Sequence, residues 1–226
     1  MEHADANTHP SRTDQVARWC FALTALAVGF GVTAQILGVL GPAPSYFDSP
    51  SIRTINLLAY FTDQSNLLVG ITCLLLAIRL SRDSAEFWVF RFIGIPAIVL
   101  TGVVYHTMLA GLTQDEGWAL IGTQTLHTVV PILAVLGWLA FGPRGHSSWR
   151  SVGWATLFPV AFLAFTLIRG ALTGWYPYPF VNAARDGYAS VAVSGVMIGS
   201  AFFVLAAGTL GLDRLLVRVR RDASEF

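Results

Sequence analysis

The chain alternates between long runs of apolar residues and short segments that are rich in charge, proline or glycine. Six apolar runs of about 22 to 25 residues occupy 17–40, 56–80, 87–111, 118–141, 152–173 and 188–212. A helix rising about 1.5 Å per residue needs roughly 20 residues to cross the hydrocarbon core of a bilayer. Barrel strands would be about 10 residues long with alternating polarity, and this alternation is missing. The pattern therefore predicts an all-α integral membrane protein, a six-helix transmembrane bundle.

The flanking segments set the expected domain organisation. Residues 1–16 are polar and have no regular apolar period, which predicts a disordered cytoplasmic tail. Residues 17–212 form one transmembrane domain, and 213–226 form a basic cytoplasmic tail. The first apolar run is too long for the core of a signal peptide and does not end in a small-x-small cleavage site, so we expect an uncleaved anchor.

The arginines predict the orientation in the membrane. Eleven of the fourteen flank one side of the predicted bundle, and only Arg53, Arg169 and Arg185 flank the other. Among the eleven, Arg91 is assigned to the connection between the second and third helices. Because basic residues concentrate on the cytoplasmic side, both termini are expected to face the cytoplasm of a multi-pass protein.

Composition excludes several classes of function. Only 12% of the residues are charged and 54% are hydrophobic, whereas a soluble domain carries roughly 25% charged residues. The net charge of +1 offers no basic surface for nucleic acid. Every basic residue is arginine, which excludes a lysine Schiff base or a P-loop lysine. Cys20 and Cys73 lie in apolar runs and are interpreted as buried thiols, not as a disulfide framework or metal cluster.

Polar residues inside the predicted helices need a reason, because polar groups are costly in lipid. In the second helix, Thr62, Ser65 and Asn66 share one face by their i, i+3, i+4 spacing, and Asp63 is adjacent. Other polar residues are found in the third to fifth helices: Tyr105, His106, Gln124, His127, Thr128 and Arg169.

Several of these polar residues lie at similar depths in the membrane. Thr62, His106, His127 and Arg169 lie about 6 to 13 Å from the outer ends of their helices, although the helices run in alternating directions. A single polar residue usually bonds its own backbone or joins two helices, whereas a cluster at a shared depth favours a functional site. We therefore predict one outward-opening cavity lined by Thr62, Asn66, His106, His127 and Arg169.

Three segments occur in a characteristic order: 61–68 (FTDQSNLL), 127–131 (HTVVP) and 173–182 (TGWYPYPFVN). With them the chain resembles the androgen-induced family of multipass membrane proteins and its prokaryotic six-helix relatives. The resemblance covers helices two to six, about two thirds of the chain. It implies hydrolysis of fatty acid esters of hydroxy fatty acids, and a location in the bacterial cell membrane.

The resemblance also implies the catalytic residues. The family's proposed threonine is similar to Thr62, which follows Phe61, and its histidine is similar to His127, four residues before Pro131. The tyrosine, proline and phenylalanine of the family's outer loop match residues 178–180. Asp63 follows the threonine, where apolar residues are expected in animal members.

Threonine and histidine are residue types that can act together as a nucleophile and its base. A hydroxyl nucleophile needs an adjacent base, and histidine titrates near working pH. The sequence leaves open which third group orients the imidazole, the candidates being Asp63, Asn66 and Gln124. It also leaves open the oxyanion donors, which are Asn66, Tyr105, His106 or backbone N–H groups.

A lipid ester is the expected substrate of this site. Arg169 is a candidate partner for a substrate carboxylate, or for Asp63. No GxSxG segment is present, so an ordinary serine-hydrolase elbow is excluded. The hydrolase is expected to need no cofactor or metal, and protein partners are not specified by the sequence.

Two other classes of function remain open at the level of sequence. His106 and His127 on adjacent helices are candidate axial ligands of a single haem, although there is no second histidine pair and no CxxCH. A transporter or non-catalytic membrane protein is the other alternative, although we find no internal repeat of the kind that transporters usually show.

Overall fold

The computed structural model describes residues 11–41, 45–112 and 114–222, and these residues form helices and connections without any strand. The α-helices are α1 (Arg12–Val39), α2 (Pro50–Asn56), α3 (Phe61–Ile78), α4 (Ala85–Val104), α5 (Gly117–Gln124), α6 (Val130–Phe141), α7 (Trp149–Thr173) and α8 (Ala183–Asp222). Two short 3₁₀ turns, Leu57–Ala59 and Pro179–Val181, lie in the connections.

Six of the described segments are long and apolar enough to span a bilayer. They are Arg12–Val39, Phe61–Ile78, Ala85–Leu109, Gly117–Phe141, Trp149–Thr173 and Ala183–Asp222. The third span includes a π-helical turn, Tyr105–Leu109, and the fourth joins α5 to α6 through another, Thr125–Val129. The predicted all-α six-helix bundle is confirmed, and the protein is a multi-pass integral membrane protein.

The start of the second span differs from the apolar pattern. The run was expected to begin at residue 56, but Asn56 ends α2 and Tyr60 is extended, with φ −91° and ψ 139°. The intervening 3₁₀ turn, Leu57–Ala59, is apolar, so hydropathy does not distinguish it from the helix. As a result, Thr62 lies in the first turn of α3.

The first and last helices extend further than the sequence predicted. The side chain of Ser11 accepts the Asp14 N–H at 3.1 Å and Asp14 bonds back to Ser11, a capping box that starts α1 at Arg12. The prediction of disorder is wrong for residues 12–16, and for 1–10 it falls outside the described residues. The basic segment continues α8 to Asp222, and residues 223–226 are likewise outside the description.

Two apolar clusters hold the bundle together. The first lies between α4, α7 and α8 and includes Phe92, Phe162 and Phe202. The second lies between α1, α3 and α6 and includes Phe21 and Val69. Because α3 and α4 pack against each other, the clusters adjoin, and Phe61 at the N-terminal end of α3 belongs to the first.

Arginines cap helix ends at one end of the bundle. Arg18 donates to the carbonyl of Ala77 at 2.7 Å, and Arg220 donates to that of Ala140 at 3.3 Å. Helix C-termini carry unpaired carbonyls and a partial negative charge, so guanidinium groups are favoured there. We call this the basic end; it contains the start of α1 and the end of α8, and the site described below lies towards the opposite end.

The placement of Arg91 in the connection between the second and third helices is wrong. Arg91 lies inside α4 and is buried, with Nη1 3.3 Å from Sγ of Cys73 and its guanidinium 5.4 Å from the centre of the Phe21 ring. Cys73 is buried and Cys20 is partly buried, and both are free thiols. The apolar surroundings of these residues agree with their predicted role in packing.

Candidate functional site

The hydroxyl of Thr62 meets the imidazole of His127 inside the bundle. Oγ1 of Thr62 lies 3.1 Å from Nε2 of His127, and the two residues are 5% and 8% exposed. Thr62 belongs to the first turn of α3, and His127 to the π-helical turn Thr125–Val129. The expectation that these side chains meet across a helix interface is confirmed.

The π-helical turn arises where the chain reads HTVVP. Pro131 has no N–H, so the carbonyl of His127 loses its α-helical donor. The N–H of Val130 bonds instead to the carbonyl of Thr125, five residues back. Gly102 packs against the His127 carbonyl so closely that an added Cβ would lie 3.3 Å from the oxygen. Such turns are rare and are often found at functional sites.

The tautomer of His127 follows from its backbone partner. Nδ1 lies 2.9 Å from the carbonyl oxygen of Thr123, and a carbonyl only accepts, so Nδ1 carries the proton. Nε2 therefore presents its lone pair to the Thr62 hydroxyl. The ring of Tyr105 stacks on the imidazole with centroids 4.2 Å apart, which fixes its plane.

The group that orients the imidazole is none of those expected from the sequence. Asp63, Asn66 and Gln124 were the candidates, but the carbonyl of Thr123 takes this role. The hydroxyl of Thr123 in turn donates to Oδ2 of Asp115 at 2.8 Å. Sequence reasoning missed both residues, because a backbone carbonyl has no side-chain signature and Asp115 lies in a connection outside the apolar runs.

Tyr178 completes the surroundings of Thr62. Its hydroxyl accepts the backbone N–H of Thr62 at 3.2 Å and lies 3.3 Å from Oγ1 of Thr62. The first N–H groups of a helix have no partner within it, so Tyr178 satisfies one that α3 leaves open. Burial raises the pKa of Tyr178 well above its usual value, although its hydrogen bonds with Thr62 act in the opposite direction. The phenol is therefore a neutral hydrogen-bond donor at working pH.

Tyr178 was visible in the sequence only as part of a motif. It lies in the connection between α7 and α8, in the segment TGWYPYPFVN. The resemblance matched this tyrosine to an outer loop without giving it a role in the site.

Asn66 holds the two helices of the pair together. Its Nδ2 donates to the Thr62 carbonyl at 2.8 Å and to the Leu126 carbonyl at 3.1 Å. The Leu126 carbonyl is available because the π-helical turn diverts the N–H of Val130 to Thr125. Asn66 is fully buried and does not line the cavity, so the structure places it as a link between helices.

Thr62 and His127 open into a cavity of about 400 Å³, which we call the polar vestibule. Its polar lining consists of Gln35, Tyr60, Thr62, Asp63, Tyr105, Asp115, Thr123, His127 and Tyr178. Asp63 is 2% exposed, and neither of its carboxylate oxygens has a hydrogen-bond partner among the described residues.

A second cavity of about 130 Å³ lies between α4, α7 and α8, and we call it the apolar cleft. Leu100, Val104, Phe162, Leu163, Ile198 and Gly199 are part of its lining. Thr62 and Tyr178 line both cavities. The Thr62 hydroxyl therefore lies where a polar and an apolar compartment meet.

The predicted single cavity is correct for Thr62 and His127 and wrong for its other residues. Asn66 is turned away, as described above. His106 is exposed, with Nε2 3.0 Å from Oγ1 of Thr128. Gln124 is also exposed, and its Nε2 lies 3.3 Å from the hydroxyl of Tyr105, which does line the vestibule.

Arg169 lies apart from the pair. Its Nη2 donates to Oδ1 of Asn56 at 2.7 Å, and its guanidinium lies 4.7 Å from the centre of the Trp175 ring. It bonds neither Asp63 nor a group of the vestibule lining. The expectation that Arg169 pairs with Asp63 is therefore wrong.

The described residues fit a metal or haem site poorly. Both ring nitrogens of His127 have partners, Thr62 and Thr123, so axial ligation would break the contacts that hold the imidazole. Within 11–41, 45–112 and 114–222, no three or more His, Cys, Asp or Glu side chains gather as metal ligands. Geometry therefore favours acid–base use of His127.

Comparison with known proteins adds no relative. No family model, no curated protein and no solved structure matches the chain. The functional interpretation therefore depends on the geometry of the site and on the three motifs.

Proposed function

We propose that this protein is a membrane-embedded hydrolase of lipid esters in which Thr62 is the nucleophile and His127 the general base. The observation that supports this most directly is the 3.1 Å contact between the Thr62 hydroxyl and Nε2 of His127. A hydroxyl nucleophile next to a base whose tautomer is fixed is the arrangement that acyl transfer requires.

In the first half of the reaction, Oγ1 of Thr62 attacks the carbonyl carbon of the ester. Nε2 of His127 takes the hydroxyl proton as the new C–O bond forms. The tetrahedral intermediate then expels the alcohol, which receives that proton from His127, and the acyl group remains on Thr62. Asp115 and Thr123 hold the imidazole in place through the Nδ1 hydrogen bond.

Tyr178 and the start of α3 stabilise the negative charge of the intermediate. The phenol lies 3.3 Å from Oγ1 of Thr62 and is a neutral donor, so it can donate to the ester oxygen as charge develops. The N-terminus of a helix carries a partial positive charge, and Thr62 lies in the first turn of α3. Both effects favour the transition state over the neutral ester.

In the second half, water enters from the polar vestibule and attacks the acyl carbon. His127 takes a proton from this water and returns it to Oγ1 of Thr62 as the acid leaves. The net reaction is ester plus water to carboxylic acid plus alcohol, and it needs no cofactor.

The bundle provides a route for a hydrophobic substrate. The apolar cleft reaches the lipid-facing surface at Val160, which is 56% exposed. An ester dissolved in the bilayer can therefore enter sideways. The resemblance names fatty acid esters of hydroxy fatty acids as the class to assay first.

We also propose that both termini face the cytoplasm of a bacterial cell. The support is the concentration of arginines at the basic end, where Arg18 and Arg220 cap helix ends. In this orientation the pair lies towards the outer surface, and the substrate comes from the outer leaflet.

The decisive experiment is turnover of a panel of lipid esters by protein purified in nanodiscs. We expect the wild type to release the free acid and Thr62→Ala to release it on the order of 10³-fold more slowly. His106→Ala is the matched control, because it removes a second histidine that the structure places outside the vestibule. Wild-type protein that hydrolyses no ester would overturn the proposal, and uptake and haem-absorbance assays would then test the alternatives.

A further inference from the structure

The two cavities at Thr62 differ in chemistry, and this difference bears on the substrate. An ester whose carbonyl carbon lies at Oγ1 of Thr62 must extend in two directions. Thr62 and Tyr178 line both the polar vestibule and the apolar cleft, so one part of the ester enters each. The linings then decide which part goes where.

The lining of the polar vestibule is acidic. Asp63 and Asp115 both line it, and no arginine is among the described residues of its lining. Asp63 is 2% exposed, and its two oxygens lack a donor among the residues that the structure describes. A buried carboxylate without a partner is costly, and a cation in the vestibule would relieve that cost.

Aromatic rings also surround this space. Tyr60, Tyr105 and Tyr178 line the vestibule together with the two carboxylates. Cations are attracted to the faces of aromatic rings, and cages of rings are a common way to bind quaternary ammonium groups. Carboxylates and tyrosines together therefore favour a positively charged organic group.

We propose that the polar vestibule binds a cationic amino-alcohol, of the quaternary ammonium class, as the alcohol portion of the ester, while the apolar cleft binds its acyl chain. This inference rests on the proposed function and specifies its substrate class. The alcohol leaves through the vestibule after the first half-reaction, taking the proton from His127.

The apolar cleft is suited to the acyl chain. Apolar side chains form most of its wall, and Gly199 of α8 leaves room along it. An added Cβ at Gly199 would meet nothing within 4 Å, so this part of the cleft is open space. Because the cleft reaches exposed Val160, a chain longer than the cleft continues into the lipid.

The same charges disfavour an alcohol portion that carries a carboxylate. At separations on the order of 8 Å and an effective dielectric constant of about 20, one charge changes binding by more than about tenfold. Arg169, which was a candidate to receive such a carboxylate, bonds Asn56 and stacks on Trp175 instead. Esters of amino-alcohols are therefore expected to bind better than esters of hydroxy fatty acids.

Binding can be measured without turnover. In a Thr62→Val background, which removes the nucleophile and keeps the side-chain shape, calorimetry in nanodiscs compares palmitoylcholine with the palmitoyl ester of hydroxystearic acid. We expect the cationic ester to bind at least about tenfold more tightly. If Thr62→Val does not fold, His127→Gln serves as the background. Equal or tighter binding of the anionic ester would overturn the inference.

Two matched acidic variants test whether Asp115 causes the preference for the cationic ester over the anionic ester. Asp115→Asn removes a charge from the vestibule while keeping an acceptor for the Thr123 hydroxyl, and should reduce the preference several-fold. Glu116→Gln removes the neighbouring charge, which is exposed and does not line the vestibule, and should leave the preference unchanged. A preference that is the same in both variants would contradict the role of Asp115.

Matched glycine variants test the acyl side. Gly199→Leu fills the apolar cleft and should weaken palmitoylcholine binding about tenfold, since roughly two methylenes lose their buried contacts. Gly208→Leu adds the same side chain on an exposed face of the same helix, where nothing lies within 4 Å, and should have no effect. Equal effects of the two variants would place the acyl chain elsewhere.

The result of these binding experiments can be distinguished from the result of the hydrolysis assay that tests the proposed function. If wild-type protein hydrolyses lipid esters but the binding preference is absent, the substrate inference fails and the hydrolase proposal stands. If the preference is present but no ester is hydrolysed, the vestibule binds cationic amphiphiles and the hydrolase proposal fails.

Discussion

Oγ1 of Thr62 and Nε2 of His127 lie 3.1 Å apart although 65 positions separate the residues in the chain. Neither side chain reaches the other by local structure. Thr62 is brought there by an early turn that delays the start of α3, and His127 by a π-helical turn in the middle of a span. The pair is thus built from two local departures from regular α-helix.

The first prediction concerns the interdependence of the pair. Thr62→Ala and His127→Ala should each lower kcat by on the order of 10³-fold, and the double variant should be little slower than either. The reason is that the base has nothing to deprotonate without the hydroxyl. Thr62→Ser should keep part of the activity. Rates measured on folded protein check this, and multiplicative losses in the double variant would show independent roles.

Tyr178 gives the second prediction. Tyr178→Phe removes the hydroxyl that is placed to stabilise the tetrahedral intermediate, so kcat should fall about 100-fold with little change in KM. Tyr46→Phe is the control, because it also removes a hydrogen-bonded tyrosine hydroxyl, one that donates to the carbonyl of Thr173 at 3.0 Å, but Tyr46 lies outside both cavities. If the two variants have the same kcat, Tyr178 is not an oxyanion donor.

The raised pKa of Tyr178 gives the third prediction, which concerns stability at high pH. Above the ordinary tyrosine pKa of about 10, the unfolded chain loses this proton while the folded protein retains it. Since the unfolded state then binds fewer protons, the free energy of unfolding falls as pH rises. Thermal unfolding between pH 9 and 11 should show a steeper decline for wild type than for Tyr178→Phe. Parallel declines would mean that Tyr178 titrates alike in both states.

Part of this arrangement could be predicted from the sequence. Six apolar runs were enough to fix the number of spans, because length and hydropathy decide whether a helix crosses a bilayer. The motif residues Thr62 and His127 were correctly expected to meet. Depth alone, however, placed His106 and Arg169 in the cavity, because depth gives the height of a residue and not the direction in which its side chain points.

The other features of the site depend on tertiary contacts that the pattern of residues in the sequence does not predict. The carbonyl of Thr123 orients His127, and any residue type at that position has a carbonyl. Asn66 looked like a site residue by its helical spacing, but the π-helical turn frees the carbonyl of Leu126 and this draws the amide into a link between helices.

That link gives the fourth prediction. Asn66→Ala leaves the buried carbonyl of Leu126 without its donor, which should lower the free energy of unfolding by about 1 to 3 kcal/mol. It should also lower kcat more than it changes KM, because the Thr62–His127 contact loosens. Gln64→Ala is the control: its amide bonds the Leu58 carbonyl at 2.9 Å on the exposed side of α3, so the change should stay within about 0.5 kcal/mol. An Asn66 variant that is destabilised but has wild-type kcat would limit the residue to a structural role.

The last prediction concerns orientation. Six spans place both ends of the chain on the same side, and the arginines concentrate where α1 begins and α8 ends. Moving these charges across the membrane would be costly, so the basic end should face the cytoplasm. A fluorescent protein fused after Phe226 should be bright, since it folds in the cytoplasm, and alkaline phosphatase at the same place should be inactive. Alkaline phosphatase inserted after Gly174, in the connection before α8, should be active, because this connection lies on the side of the Thr62–His127 pair. The reverse pattern would put the basic end outside, and the apolar cleft would then take its substrate from the cytoplasmic leaflet.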